Sequence, residues 1–422
     1  MSSKLYGERI LVAGNGISGK GAAFALEKAG ADYKMIGSGF EKEINEGNYS
    51  LVVVSPGIAL SDPLFEAAKK RNIPVISEIE LGYAINRGKI LAVTGTNGKT
   101  TVAKMAALML GEKYRVALCG NVGMSFSSLA AVGGYEIAVV EVSSFQLETV
   151  FSFKPDVAVI TNISEDHINR HGSMERYVAL KLKIAKNMSF DDTLVLSQDS
   201  IPVKYLADFS PSSKVMFSCV RGKINGSYAD DGKFYVGGEC VATVEELPFA
   251  ERHNYENFLL AATAAYSLGA TASNIREGIR KFKPENHRLS LVREVGGVRF
   301  YDDSKGTNVS ATLAALSEMK GSVCLIAGGS DKNCDFSPLF RNKNAFDKLN
   351  LIGQTRFKIR DAAYFGGYSN VELFDDLRSA VKNAYESGCR NVLFSPASAS
   401  FDMFENYSVR GEKFIEYVNA LS

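Results

Sequence analysis

Apolar residues in the first stretch of the chain form short continuous runs rather than an alternation. "RILVAG", "ADYKMIG" and "SLVVVSPG" read as strands, with "GKGAAFALEKAG" and "DPLFEAAKKRN" as helices between and after them. Val, Ile and Leu runs separated by helical segments predict a parallel sheet covered on both faces. "IPVISEIELGYAINRGK" leads into a second unit that opens with "KILAVTGTNGKTTVAKMAALML", a strand, a glycine loop and an amphipathic helix. "YRVALCG", "YEIAVVEVSS", "VAVITNIS" and "DTLVLSQ" continue the parallel pattern. From 213 to 243 the runs shorten and alternate around Gly and Asp, which predicts hairpins on an antiparallel edge. "NYENFLLAATAAYSLG" predicts a helix closed by Gly269. A third unit begins near "PENHRLSLV", with strands at "VRFYDDS", "SVCLIAGG", "LNLIGQ", "NVELF" and "NVLFSPAS". The expected fold class is therefore α/β in three domains. Residues 1–80 form a Rossmann-like domain, and 81–284 a central nucleotide-binding domain with a parallel sheet plus a small antiparallel sheet. Residues 285–422 form a second Rossmann-like domain.

Composition narrows the partners. Of 422 residues 46% are hydrophobic, enough for several cores, and the net charge of +1 leaves no electrostatic footprint for nucleic acid or an anionic membrane. The six cysteines show no C-x-x-C spacing, which fits reduced thiols better than a disulfide framework or a zinc site. The N-terminus has no apolar h-region and no run is long enough to span a bilayer. A soluble, cytoplasmic, monomeric protein is expected.

Glycine loops follow the first strands of both the first and second units. "GNGISG" carries the dinucleotide fingerprint Gly14-x-Gly16-x-x-Gly19, but the acidic residue the fingerprint expects about 20 residues on, at the end of the second strand, is missing. "GTNGKTT" places Gly95, Thr96, Asn97, Gly98, Lys99, Thr100 and Thr101 at a strand-to-helix junction. Such a junction aims backbone N–H groups and the positive helix end at phosphate oxygens. Lys99 adds a full charge at the β- and γ-phosphates, and Thr100 offers a hydroxyl to Mg²⁺. The strict P-loop pattern would need Gly at position 93, which is Val93, so this is a variant with a shorter glycine span.

Candidate metal ligands lie nearby. Glu141 sits between Val140 and Val142 in a strand that reads as buried, where a carboxylate is paired, metal-bound, or at a solvated strand end. His167 follows a strand in "TNISEDHINRH", at the sheet end where open α/β folds place ligands. Lys181 lies between Leu180 and Leu182, which leaves its direction open between a solvated basic face and the site.

Taken in order, "TGTNGKTT", "EVSSFQLE", "NISEDH", "HNYENFLLA", "NHR", "YDDSKGTN", "GGSDKNCDFSPL" and "SPASASFDMFENYSVRGEKF" resemble one family, the Mur ligases. These are ATP-dependent amide-forming enzymes of peptidoglycan synthesis. The resemblance covers essentially the whole chain and is strongest to the branch that adds D-glutamate to UDP-N-acetylmuramoyl-L-alanine. It implies that Gly98, Lys99 and Thr100 hold ATP phosphates and Mg²⁺. Glu141 and His167 would ligate Mg²⁺, with Lys181 carbamylated to hold a second ion. Asn257 and Asp303 would contact adenosine, and Arg288 the phosphates. Ile17, Ser18 and Gly19 would cradle the diphosphate of the UDP-sugar, with Asn121, Ser143 and Gln146 facing the same substrate. Lys305 would neutralise charge on the transferring phosphoryl. Lys332, Ser400 and Tyr407 would hold the incoming D-glutamate, and Thr307, from the "DSKGTN" motif, would bind substrate.

The chain departs from the family pattern at Asp302 and Gly306 in "DDSKGTN", at Ser398, and at the end of the second strand. There an acid is absent, and backbone groups or Ser38 would have to hold the uracil. Competing readings are a sister ligase or folylpolyglutamate synthase, an NAD(P) oxidoreductase built on the first loop, and a regulatory nucleotide binder without catalysis. The last two leave "GTNGKTT" or the intact set Lys99, Glu141, His167, Lys181 and Lys332 unexplained.

Overall fold

The computed structural model describes residues 9–199, 214–249, 251–342 and 344–422. The first eight residues of the N-terminal stretch "MSSKLYGERILVAG", read for an apolar h-region, lie outside them. Three sheets form, one for each predicted unit.

Strands β1 (Arg9–Ala13), β2 (Asp32–Ile36), β3 (Leu51–Val54) and β4 (Val75–Ser77) make a parallel sheet in the order β2-β1-β3-β4. The chain reverses its winding between β1 and β3, so the turns after these strands border the crevice where such sheets take ligands. β4 was not foreseen; only three residues long, it carries too short a signal to stand out from its flanks.

The second sheet uses β5 (Lys89–Thr94), β6 (Val116–Gly120), β7 (Ile137–Glu141), β8 (Val157–Ile160), β9 (Thr193–Ser197) and β10 (Lys214–Cys219). It continues through β11 (Ser227–Asp230), β12 (Lys233–Val236) and β13 (Glu239–Thr243), in the order β13-β12-β11-β10-β9-β8-β5-β7-β6. The hairpins expected as a small antiparallel sheet are the edge of this same sheet, because β10 pairs in parallel with both β9 and β11. β8, β5 and β7 are adjacent interior strands of its parallel part and are almost wholly buried. Each Val, Leu or Ile so placed contributes roughly 1.5–3 kcal/mol relative to exposure. The helix Lys99–Gly111 buries Val102, Met105, Ala106 and Met109 in the core that includes Leu91, Val93, Val139 and Val159. Helix Arg252–Ser267 ends where expected, with Gly269 at φ 95° and Ala270 N–H donating to Ala265 C=O at 3.0 Å.

The third sheet is β14 (Ser290–Val295), β15 (Val298–Asp302), β16 (Val323–Gly328), β17 (Lys348–Ile352), β18 (Val371–Leu373) and β19 (Asn391–Phe394), in the order β14-β15-β19-β16-β17-β18. All pairs are parallel except β14 with β15. That hairpin was missed as a pair. Its signal was the Gly296-Gly297 dipeptide, both glycines at positive φ, between two apolar runs.

The described residues form two compact units, 9–163 with 175–199, 214–249 and 254–283, and 164–174 with 251–253, 284–342 and 344–422. Within the first, Glu80 ties the chain after β4 to the loop before β8. Its carboxylate accepts the backbone N–H groups of Phe151, Ser152 and Phe153 at 3.0, 2.7 and 3.0 Å. Beside it, Glu78 is buried and accepts Ser127 N–H at 2.5 Å. Burial pushes the Glu78 carboxyl up, and the Ser127 hydrogen bonds only partly offset this. Among the described residues no helix is long and apolar enough to cross a membrane.

Candidate active site

The loop Gly95–Gly98 joins β5 to the helix Lys99–Gly111. Gly98 caps that helix at φ 79°, and a Cβ there would stand 2.4 Å from Asn257 Oδ1. Only glycine brings the backbone this close to the buried amide of Asn257. The neighbouring strand end clamps the loop. Asn162 accepts Asn97 N–H at 2.9 Å and donates back to Asn97 C=O at 3.0 Å, while Thr96 N–H reaches Asn162 C=O at 2.9 Å. Lys99 Nζ curls over the loop to the carbonyls of Gly95 (3.1 Å) and Thr96 (2.9 Å). Thr100 and Thr101 occupy the first turn, so the loop presents an ammonium, hydroxyls and helix-end N–H groups together.

Lys181 turns inward. It is 1% exposed, with Nζ 2.6 Å from Gly95 C=O and 4.5 Å from the Tyr177 ring centroid. Tyr177 OH in turn meets Thr96 Oγ1 at 3.1 Å. Glu141 closes β7 at 2% exposure. Asn121 Nδ2 donates to its Oε1 at 2.8 Å, and its Oε2 is buried without a hydrogen-bond partner. An acceptor-only oxygen left dry is costly unless a cation meets it, so Glu141 fits a metal ligand. Ser143 and Gln146 are engaged with each other, Ser143 N–H and Oγ donating to Gln146 Oε1 at 2.9 and 3.0 Å.

The first glycine loop is built as its fingerprint requires. Gly19 lies so near Gly14 C=O that a Cβ would stand 1.8 Å from it. The helix Ile17–Lys28 starts without a side-chain cap, and Ile17 is 74% exposed there. Ser18 shares this open first turn, and Ser38 is exposed in the turn before helix Phe40–Glu46.

The second compact unit holds the remaining candidates. Asp166 is its polar hub. Oδ1 accepts Lys332 Nζ at 2.9 Å and His167 N–H at 2.9 Å, and Oδ2 accepts Asn308 Nδ2 at 3.2 Å. His167 has φ 54° and Nε2 3.6 Å from Asp166 Oδ2. Burial pushes the Asp166 carboxyl up, but the charges of Lys332 and His167 and the hydrogen bonds from Lys332 and Asn308 outweigh it and hold it low. Lys332 Nζ also reaches Thr307 C=O at 3.3 Å. Lys305 forms an ion pair with Glu285, and its Nζ is 5.5 Å from the Tyr407 ring centroid.

Asp303 is buried, with Oδ2 accepting Ser395 Oγ at 2.6 Å and Oδ1 accepting Leu289 N–H at 3.3 Å. Burial raises its carboxyl to about 7, against hydrogen bonding from Ser395 and the charge of Arg288. Arg288 Nε is buried without a hydrogen-bond partner. Ser400 is buried at the end of a loop stapled by Arg410. The Arg410 guanidinium, 1% exposed, donates to Ser304 Oγ and C=O at 3.1 and 2.8 Å and to the carbonyls of Ser398 and Ala399 at 3.0 Å each.

Among the described residues no group of three or more His, Cys, Asp or Glu side chains is arranged to hold a metal. The structure joins Lys99, Lys181 and Asn257 around the Gly95–Gly98 loop, Glu141 with Asn121, Lys332 with His167 through Asp166, and Lys332 with the Thr307 carbonyl directly. Sequence reasoning missed Asp166, Asn162, Glu285 and Arg410. Asp166 was visible only as the neighbour of His167. Arg410 sits in "SVRGEKF", which reads like a solvated helix face.

Residues 93–265 match the Mur ligase middle domain. Over 445 residues, 98% of each chain, the sequence is 37% identical to a UDP-N-acetylmuramoylalanine--D-glutamate ligase of Streptococcus pneumoniae serotype 19F (strain G54). It is 36% identical over 456 residues, with the same coverage, to that of Lachnoclostridium phytofermentans. Among solved structures, a pseudomurein peptide ligase type C from Methanothermus fervidus aligns with 97% of this chain and 100% of its own (TM-score 0.62, 17% identity). The UDP-N-acetylmuramate-alanine ligase MurC of Thermotoga maritima aligns over 98% and 99% (TM-score 0.58, 19% identity). At such identities these structures speak for the fold alone.

Proposed function

This chain belongs to the Mur ligase family, and from that membership we propose how its residues divide the work. It is an ATP-dependent ligase that joins D-glutamate to UDP-N-acetylmuramoyl-L-alanine in peptidoglycan synthesis, giving ADP and phosphate. The observation that carries this is 37% identity across 98% of both chains.

The terminal alanine carboxylate attacks the γ-phosphate of ATP, releasing ADP and leaving an acyl phosphate. The D-glutamate amine then attacks that carbonyl, loses a proton and expels phosphate. The Gly95–Thr101 backbone and Lys99 hold the phosphates, Lys99 exchanging its loop carbonyls for phosphate oxygens. Asn257 and Asp303 order the adenosine side, and the spare Arg288 Nε suits a phosphate oxygen. Thr100, Glu141 and His167 would hold Mg²⁺, and Lys181, once carbamylation turns its ammonium into an anionic acceptor, would hold a second ion. When bound, Mg²⁺ supplies positive charge to the transferring phosphoryl. Lys305 adds a second cation there after leaving Glu285.

Ile17, Ser18 and Gly19 cradle the UDP diphosphate, with Ser38 or backbone groups at the uracil, and Asn121, Ser143 and Gln146 face the sugar. Lys332, Ser400 and Tyr407 receive D-glutamate, and Thr307 binds substrate. Functional divisions at 1–80, 81–284 and 285–422, a monomer and a cytoplasmic setting complete the reading. The test is phosphate release with ATP, Mg²⁺ and UDP-N-acetylmuramoyl-L-alanine, supplying candidate amino acids in turn. Release that does not depend on D-glutamate would sink it. Unchanged affinity for the UDP substrate in Ser38→Ala would discard Ser38.

A further inference from the structure

Asp166 lies outside the residues assigned above, yet it is the point where their segments meet in the second unit. Asp166 is 5% exposed and its side-chain oxygens take an ammonium, an amide and a backbone N–H. Asn308 is itself fixed, because its Oδ1 caps the helix Val309–Ser317 by accepting Ala311 N–H at 2.9 Å. Its Nδ2 is therefore directed at Asp166 by the backbone of that helix. On the other side, Lys332 C=O accepts Asn169 N–H at 3.4 Å, which ties its backbone to the same segment.

A lysine ammonium has three N–H donors and no acceptor. Here Asp166 Oδ1 takes one at 2.9 Å and Thr307 C=O takes another at 3.3 Å. Two fixed acceptors leave the third N–H with one direction. Lys332 would otherwise carry much of the rotamer freedom of a long side chain, and ordering it would be lost from ligand affinity.

We propose that Asp166 is a positioning residue for the amino-acid site, orienting Lys332 so that its remaining N–H is preset for a carboxylate of D-glutamate. This rests on the assignment of Lys332 to D-glutamate and deepens it. The alternative is that the Asp166–Lys332 pair only stabilises the fold.

Steady-state kinetics of the full chain separate these cases. In Asp166→Asn, which keeps the shape and loses the charge, KM for D-glutamate should rise about ten- to a hundredfold, the span of one charge-assisted hydrogen bond. KM for ATP and for UDP-N-acetylmuramoyl-L-alanine should stay as they are. Lys332→Met should raise the same KM, and adding Asp166→Asn to it should bring no further rise. An unchanged KM for D-glutamate in Asp166→Asn, or equal rises in all three KM values, overturns the inference. An unchanged KM for D-glutamate in Lys332→Met overturns the underlying assignment instead. Should Asp166→Asn not fold, Asn308→Ser keeps a capping oxygen and removes only the amide donor to Asp166. It should give a smaller rise in the same KM, and no rise counts against the proposal.

Discussion

Lys181 Nζ donates to the carbonyl oxygen of Gly95 at 2.6 Å from a buried side chain. The residue that opens the Gly95–Gly98 loop is thereby gripped by a lysine more than eighty positions away in the chain. As an ammonium this group only donates, and the proposed carbamate would turn it into an anionic acceptor for a metal ion. Lys181→Ala should lose at least about a hundredfold in turnover, since positioned electrostatic groups at a phosphoryl site carry effects of that size. Short-chain carboxylates should restore part of it. Normal turnover in Lys181→Ala would remove the carbamate from the mechanism.

Glu141 carries a buried oxygen with no hydrogen-bond partner. Glu141→Gln keeps the acceptor for Asn121 and deletes the charge. The Mg²⁺ concentration for half-maximal phosphate release should rise at least about tenfold. Thermal stability without metal should hold or improve, because an uncompensated buried charge is costly. An unchanged Mg²⁺ titration would contradict the ligand role.

Asp303 gives a pH signature. Burial pushes its folded carboxyl up from 3.8 to about 7. A group whose folded pKa is raised binds its proton more tightly in the native state. Its contribution is fully present below the unfolded pKa and is lost as pH rises through the folded one. Between about pH 4 and 7 the protein should therefore lose stability relative to Asp303→Asn, by an amount on the order of a few kcal/mol. Denaturant unfolding of both proteins across that range reads this difference. Parallel stability curves would refute it.

Arg410 joins the Ser304 turn to the Ser398–Ala399 turn through its whole guanidinium. Burial lowers its pKa to about 10, so it stays charged at neutral pH. Arg410→Met should cost roughly 3 kcal/mol or more, by leaving several buried acceptors unmatched. Arg410→Lys should recover only part, since an ammonium cannot reproduce the planar fork. A melting temperature unchanged in Arg410→Met would show that the turns hold without it.

Local pattern was enough for most of the elements. Continuous apolar runs announce β1, β5, β7 and β8 because a strand buried on both faces has no polar side to interrupt it. The glycines at 95 and 98 and the Lys-Thr pair mark a phosphate loop, because close backbone approach and a nearby cation leave few other residue choices. The ordered motifs likewise point to the family that full-length identity supports. Partnership was not legible. That Lys181 faces Gly95, that Lys332 and Asn308 converge on Asp166, and that Arg410 staples two turns all depend on segments far apart in the chain. The same letters on a helix read equally well as a solvated charge. Only packing decides which charges lose their water, and a desolvated charge must then find the partner that the fold places beside it.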